Sequence, residues 1–421
     1  MRRIVITGIG AVTPLANKFF DSWSLVKKGI SGISRISKFD TTGLSWTIAG
    51  EIKGFNPELY LSKKEILKLD PFLHYAVAAA TMAAEDAGLI EQKSEVRSQK
   101  SEPPLTKGGI RGGVIIGSSR GGITTIEKEL QKLCSSRFTV HGSRLSPYLM
   151  PSTTISMAAS YVAQKLGIKG HCLGISNACA SGTNAIGEAY RLIKHGYADM
   201  VIAGGTEAPI CMLCVEGYGA AGALSKNGVP RPFDKKRDGF VIAEGACIMA
   251  LEEYESALKR SAKIYGEIIG YSNITDAFHI TRPDIEGEIM AIKTAFEDAG
   301  ISPDDVDYIN AHGTSTPIGD ITESMAIKKV FKDRAAQMPV TAIKSMTGHM
   351  LAASGAFEAA CTAMSIKECI IPPTANITEK DHECGINVIT EKKETDIKIA
   401  ITNSFGFGGV NAVLVLKKLE N

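Results

Sequence analysis

Ala84-Glu85-Asp86-Ala87-Gly88-Leu89 closes an Ala-rich stretch on a glycine, and Phe296-Glu297-Asp298-Ala299-Gly300-Ile301 does the same later in the chain. Each reads as the last turn of a helix stopped at glycine and followed by a strand. A second pair keeps the same order. Ala180-Ser181-Gly182 with Ile193-Lys194 recurs as Ala353-Ser354-Gly355 with Ile366-Lys367, at the same internal spacing. Two ordered matches predict a duplicated α/β unit.

Around these repeats, short apolar runs ending in Gly, His or Asn alternate with helical stretches: Gly113 to Gly117, Met200 to Gly204, Tyr308 to His312 and Ile399 to Asn403. That alternation predicts parallel sheets covered by helices. The chain has 421 residues, enough for two packed units or one large α/β body. We divide it into an N-terminal half at 1–262 and a C-terminal half at 263–421. The segment Glu91 to Lys107 is almost devoid of apolar residues and is expected to be a surface insertion.

Composition narrows the function. A hydrophobic content of 44%, a charged content of 22% and a net charge of +2 describe a soluble globular protein rather than a polycation, so nucleic acid is a poor partner. The start, Met1 to Thr13, reads as a strand without a signal-peptide core, and the uncharged stretch Leu145 to Gln164 lacks the apolar density of a membrane span. Nine scattered cysteines suit a reducing cytoplasm better than a disulfide framework. The charged runs Lys63 to Lys68 and Glu252 to Lys263 read first as solvated helix faces.

Three residues carry the candidate chemistry. Cys179, in Gly174-Ile175-Ser176-Asn177-Ala178-Cys179-Ala180-Ser181-Gly182, stands where an apolar run meets small residues and a helical pattern to His195. A cysteine at a helix start faces unpaired N–H groups and the positive dipole end, which favour thiolate. His312 follows Tyr308-Ile309-Asn310-Ala311 and opens Gly313-Thr314-Ser315-Thr316, a strand-end position where parallel-sheet proteins place chemistry. His349, in Lys344-Ser345-Met346-Thr347-Gly348-His349, is expected in a comparable strand-end position. Taken singly, a cysteine is more often a structural thiol and a histidine a satisfied core residue; three such positions in one duplicated chain shift the balance. Gly406-Phe407-Gly408-Gly409 would bring backbone N–H groups to a ligand and supply half an oxyanion hole. Cys211-Met212-Leu213-Cys214 has metal-like spacing, but its apolar filling fits core packing, and no glycine run has phosphate-loop spacing.

Together, Asn177 to Gly182, Asn310 to Thr316, Lys344 to His349 and Asn403 to Gly409 resemble the type II β-ketoacyl-acyl-carrier-protein synthases, with the likeness running from Arg3 to about Val413. The resemblance implies a thiolase-like α/β fold, two duplicated halves in five α-β-α-β-α layers. It implies that Cys179 accepts an acyl chain from a carrier protein, with its own N–H and that of Phe407 as oxyanion hole and Phe407 also gating the acyl pocket. His312 and His349 would then stabilise the enolate formed as malonyl loses carbon dioxide. Lys344 and Glu358 match supporting positions, Thr314 and Thr316 the pantetheine tunnel, and Lys64 and Lys68 the carrier-docking surface. No metal or other cofactor is implied beyond the phosphopantetheine that the acyl carrier protein brings, and the family's habit implies a cytoplasmic homodimer.

Two positions depart from the pattern. Leu67 stands where an arginine is typical of the docking surface. Arg120, in Gly117-Ser118-Ser119-Arg120-Gly121-Gly122, stands near the acyl pocket where elongating members carry a small or apolar residue. A buried arginine must turn away or meet a carboxylate. Arg120 and the insertion keep open a ketosynthase of a specialised polyketide or aryl-polyene pathway. A thiolase would place a second cysteine near Asn403 to Gly409, the type III enzymes pair Cys and His with Asn, and a chain-length factor would lack the nucleophile.

Overall fold

The computed structural model describes residues 2–91, 111–135 and 145–420; residues 92–107 of the expected insertion lie outside them. The first half runs β1 (Ile4–Val12), α1 (Pro71–Asp86), β2 (Gly112–Gly117), α2 (Met157–Leu166), β3 (His171–Ile175), α3 (Ser181–Lys194), β4 (Met200–Glu207) and β5 (Gly245–Glu253). The second runs β6 (Gly266–Thr275), α4 (Ile285–Ala299), β7 (Tyr308–Asn310), α5 (Pro317–Phe331), β8 (Val340–Thr341), α6 (Ala352–Glu368), β9 (Ile399–Gly406) and β10 (Val410–Lys417). Residue 262 falls between the helix Tyr254–Lys259 and β6.

The ten strands form one sheet in the order β8-β7-β9-β10-β6-β1-β5-β4-β2-β3. Each half repeats one order, with β1 and β6 as inner edges that meet antiparallel, Ile4 opposite Ile268 and Ile6 opposite Gly266. Helices α1 and α2 cover the outside of the first half and α4 and α5 that of the second, while α3 and α6 lie between the two halves. The five layers implied by the resemblance are present. The repeated helix ends are also alike: Gly88 and Gly300 both adopt φ +66°, and Leu89 and Ile301 donate N–H groups to Ala84 and Phe296.

The sheet is not wholly parallel, as the alternation alone suggested. β2 runs parallel to β3 and β4, and β7 to β8 and β9, but β4–β5, β5–β1, β6–β10 and β10–β9 are antiparallel. The physical reason is visible at β9–β10: only Phe407, Gly408 and Gly409 join them, too few for a crossover, and the two glycines take φ +88° and +71° to close the hairpin.

The middle layer is built on absent side chains. A Cβ on Gly182 would stand 2.2 Å from the carbonyl oxygen of Ala352, and one on Gly205 2.3 Å from the same atom. The starts of α3 and α6 therefore touch backbone to backbone. Ala178 and Leu351, just before the two helices, both take φ +47°, a strained sharp elbow for a non-glycine residue. Among the described residues no helix is long and apolar enough to cross a membrane.

Gly182→Ala is expected to lower stability by about 1–3 kcal/mol, the usual cost of overpacking. Gly217→Ala, in an exposed helical position with nothing within 4 Å, is expected to leave it unchanged or higher. Denaturant unfolding of both variants checks the contrast.

Candidate active site

Cys179 sits in the turn between β3 and α3, in a 3₁₀ segment Ala178–Ala180 that leads into the helix. His349 stands between the short helix Lys344–Thr347 and α6, rather than at a strand end as the sequence suggested; one helical turn intervenes after β8. Because the two elbows abut, Nε2 of His349 comes within 2.9 Å of the Cys179 sulfur. His312, two residues beyond β7, does occupy a strand end. Its ring lies 5.6 Å from that of His349 at 83°. The cysteine sulfur and one nitrogen of each ring all lie within 4.8 Å of one another.

The trio lines a cavity of about 400 Å³, along with Phe240, Thr314, Thr316 and Phe407. Thr314 and Thr316 present hydroxyls 3.0 Å apart on one wall, held by a loop in which Gly313 and Ser315 have positive φ. The backbone N–H of Phe407 is aimed at the cysteine sulfur from the β9–β10 hairpin. The cavity is mostly apolar on its lining, the common form of a small-molecule site.

Lys344 fixes His312. Its ammonium is buried and spends its three protons on Glu358 Oε1 at 2.5 Å, the His312 carbonyl at 2.6 Å and His312 Nδ1 at 3.3 Å. An ammonium only donates, so Nδ1 accepts and the His312 proton resides on Nε2. The backbone N–H groups of His312 and Gly313 donate to Glu323, each at 2.8 Å. Burial, reinforced by Lys344 and the neighbouring ring, lowers the His312 pKa far below the ordinary range; burial and Lys344 do the same for His349. Both rings are neutral at pH 7. The ammonium beside them opposes a bound cation and favours a developing oxyanion.

The thiol behaves differently from the sequence expectation. Burial pushes Cys179 up to about 11, against the pull of Lys344 and the Phe407 N–H. The helix start was expected to yield a resting thiolate; desolvation outweighs it, because the residue keeps only partial exposure through the cavity. About one thiol in 10⁴ is ionised at pH 7.

Other expected residues lie apart. Arg120 does not line the cavity, and among the described residues its side chain forms no ion pair with a carboxylate; its Nε donates to the Tyr218 hydroxyl at 2.9 Å. Tyr218 packs edge-on to Phe240, which packs edge-on to His349 at 5.1 Å. Lys64, within the short helix Lys63–Ile66, is exposed, and Lys68, just beyond it, is half-buried; neither lines the cavity, and Lys68 lies 4.0 Å over the Tyr148 ring. Cys211 and Cys214 are buried in an apolar cluster with Val215 and Tyr218, as core packing required. Sequence reading missed Glu207, whose buried carboxylate takes the N–H groups of Ser119 and Arg120, and Glu323. The latter was within reach, since Asp320 and Glu323 follow the His312 loop at helical spacing and both accept its backbone N–H groups.

A duplicated five-layer fold with a cysteine and two histidines where its halves abut defines the thiolase-like ketosynthases. The chain belongs to the β-ketoacyl synthase family, matching its N-terminal domain over residues 1–257 and its C-terminal domain over 265–378. It is 43% identical over 426 residues to a 3-oxoacyl-[acyl-carrier-protein] synthase 2 of Staphylococcus aureus (strain COL), covering 100% of this chain and 99% of the relative. The same-named protein of Synechocystis sp. is 42% identical, at 100% and 99% coverage. Among solved structures, the ishigamide ketosynthase/chain length factor superposes with a TM-score of 0.91 at 32% identity, covering 100% of both chains. A type II PKS acyl-carrier protein in complex with its ketosynthase gives 0.88 at 34%, covering 99% of this chain and 100% of the other.

With the thiol raised to about 11, alkylation of Cys179 by iodoacetamide is expected to accelerate continuously from pH 7 to 10, because the reactive thiolate accumulates only as pH approaches that value. A rate that levels off below pH 8 would contradict the burial argument.

Proposed function

We propose that this chain is a 3-oxoacyl-[acyl-carrier-protein] synthase of fatty-acid elongation, which joins an acyl group on Cys179 to malonyl-carrier and releases carbon dioxide. The observation that carries the reading is the 2.9 Å contact of Cys179 with His349, beside a second imidazole whose Nε2–H is fixed by Lys344.

In the first half-reaction the Cys179 sulfur attacks the acyl thioester carbonyl, and the Phe407 N–H stabilises the tetrahedral oxyanion. The C–S bond to pantetheine breaks, and the proton of the thiol leaves with the pantetheine sulfur. In the second, the malonyl thioester oxygen takes hydrogen bonds from the histidine pair. The carboxylate leaves as carbon dioxide, its bonding electrons form the enolate, and the carbon attacks the acyl-cysteine to release 3-oxoacyl-carrier and the Cys179 sulfur, which takes a proton from solvent. Thr314 and Thr316 offer hydroxyls to the pantetheine amides. Loss of carbon dioxide supplies the driving force, so the residues call for no metal or cofactor beyond the carrier's phosphopantetheine.

The acyl carrier protein is the proposed partner, with Lys64 and Lys68 meeting its acidic surface. The curated relatives favour fatty-acid elongation over a specialised assembly line, and the Arg120–Tyr218 pair is the feature that would adapt the acyl side. A homodimer is proposed through β3. This strand is one of the two outer edges of the sheet, and Leu173 on it is 48% exposed with His171 and Cys172 also exposed. Unpaired backbone beside exposed apolar side chains is covered most simply by the same strand of a second copy. Unpaired cysteines fit a reducing cytoplasm.

Intact-mass spectrometry after incubation with acyl-carrier proteins is expected to show one acyl adduct on the wild type and none on Cys179→Ala. His349→Ala is expected to keep the adduct while losing malonyl decarboxylation by about 10²–10³-fold, the scale of a lost oxyanion donor. No adduct from any carrier would overturn the reading. Sedimentation is expected to give twice the chain mass for wild type and a shift toward monomer for Leu173→Lys.

A further inference from the structure

The two elbows use their serines differently. In the first, the backbone N–H of Asn177 donates to Ser181 Oγ at 2.8 Å, and that hydroxyl gives its own proton to the Ala178 carbonyl at 2.6 Å. In the second, the equivalent N–H of Met350 donates to Ser354 Oγ, also at 2.8 Å. The backbone is alike in both, with φ +47° at Ala178 and Leu351. Here the Leu351 carbonyl, the acceptor corresponding to Ala178, takes the backbone N–H of Ser354 at 3.1 Å and receives no bond from its hydroxyl. Its oxygen lies instead 3.1 Å from Nδ1 of His349.

Ser354 is buried, so its hydroxyl proton needs an acceptor within the protein. Its oxygen already accepts from Met350, and among the described residues its other hydrogen-bond contact is the ring nitrogen. We propose that Ser354 is a positioning residue whose hydroxyl donates to His349 Nδ1, holding the ring as the tautomer with its proton on Nε2, facing the reacting thioester. The role rests on the functional reading above. It gives the two histidines one design from different donors: the Lys344 ammonium sets His312, and the Ser354 hydroxyl sets His349. A neutral donor is the suitable choice beside the thiol, since it orients the ring without a second buried charge.

The test labels histidine with ¹⁵N and reads the tautomer from long-range ¹H–¹⁵N couplings, with His349→Gln to assign the signal. Wild type is expected to show His349 with bare Nδ1 and protonated Nε2. In Ser354→Ala the Nδ1-protonated form is expected to appear, and malonyl-carrier decarboxylation to fall about tenfold, with acyl loading of Cys179 changed less than about twofold. Ser354→Thr, which keeps the hydroxyl, is expected to restore the wild-type tautomer. A wild-type His349 protonated on Nδ1, or a Ser354→Ala protein with unaltered tautomer and decarboxylation, overturns the proposal. Should Ser354→Ala fail to fold, the wild-type spectrum decides alone. A wild type that neither loads acyl groups nor decarboxylates malonyl-carrier defeats the functional reading, while its tautomer still reports on the Ser354 contact.

Discussion

The close approach of α3 and α6 is the constraint on which the site depends. Each helix begins at an elbow that carries a functional residue, and neither elbow could reach the other across side chains. Glycine at 182 and 205 lets the Ala352 carbonyl sit against bare backbone. That contact places the cysteine of one half beside the histidine of the other, so the duplication itself creates the site. One half alone holds either a nucleophile or the imidazoles.

Around that contact the electrostatics are set by burial first. Removing Cys179 from water outweighs both the helix start and Lys344, and the same desolvation keeps the two rings neutral. Beside the rings lies a buried ion pair, Lys344 with Glu358, and all the protons of its ammonium go to specific acceptors. A buried pair is seldom a net source of stability. Its service here is orientation: it settles which nitrogen of His312 carries the proton and leaves positive potential where an enolate would form.

Much of this was legible in the chain. The repeated helix ends at Gly88 and Gly300 and the repeated Ala-Ser-Gly steps gave the duplication, because local sequence determines a glycine stop. Cys179, His312 and His349 stood out by motif. What escaped was set by packing between distant segments: the antiparallel inner strands, the helical turn before His349, the phenol that receives Arg120, and the elevation of the thiol. A helix-start argument sees the dipole at Cys179 but not the enclosure that Phe240, His349 and the β9–β10 hairpin impose. Ser354 lay inside a motif already noticed, yet its partner is decided by where the ring of His349 turns, which no spacing reveals.

The account stands or falls on carbon–carbon bond formation in this cavity. The most direct measurement supplies acyl-carrier and uniformly ¹³C-labelled malonyl-carrier and analyses the carrier-bound product and the gas. The account predicts a 3-oxoacyl thioester with two labelled carbons and one labelled carbon dioxide per product. Carbon dioxide released without a new carbon–carbon bond, or an acyl group passed unchanged to another thiol, would contradict it.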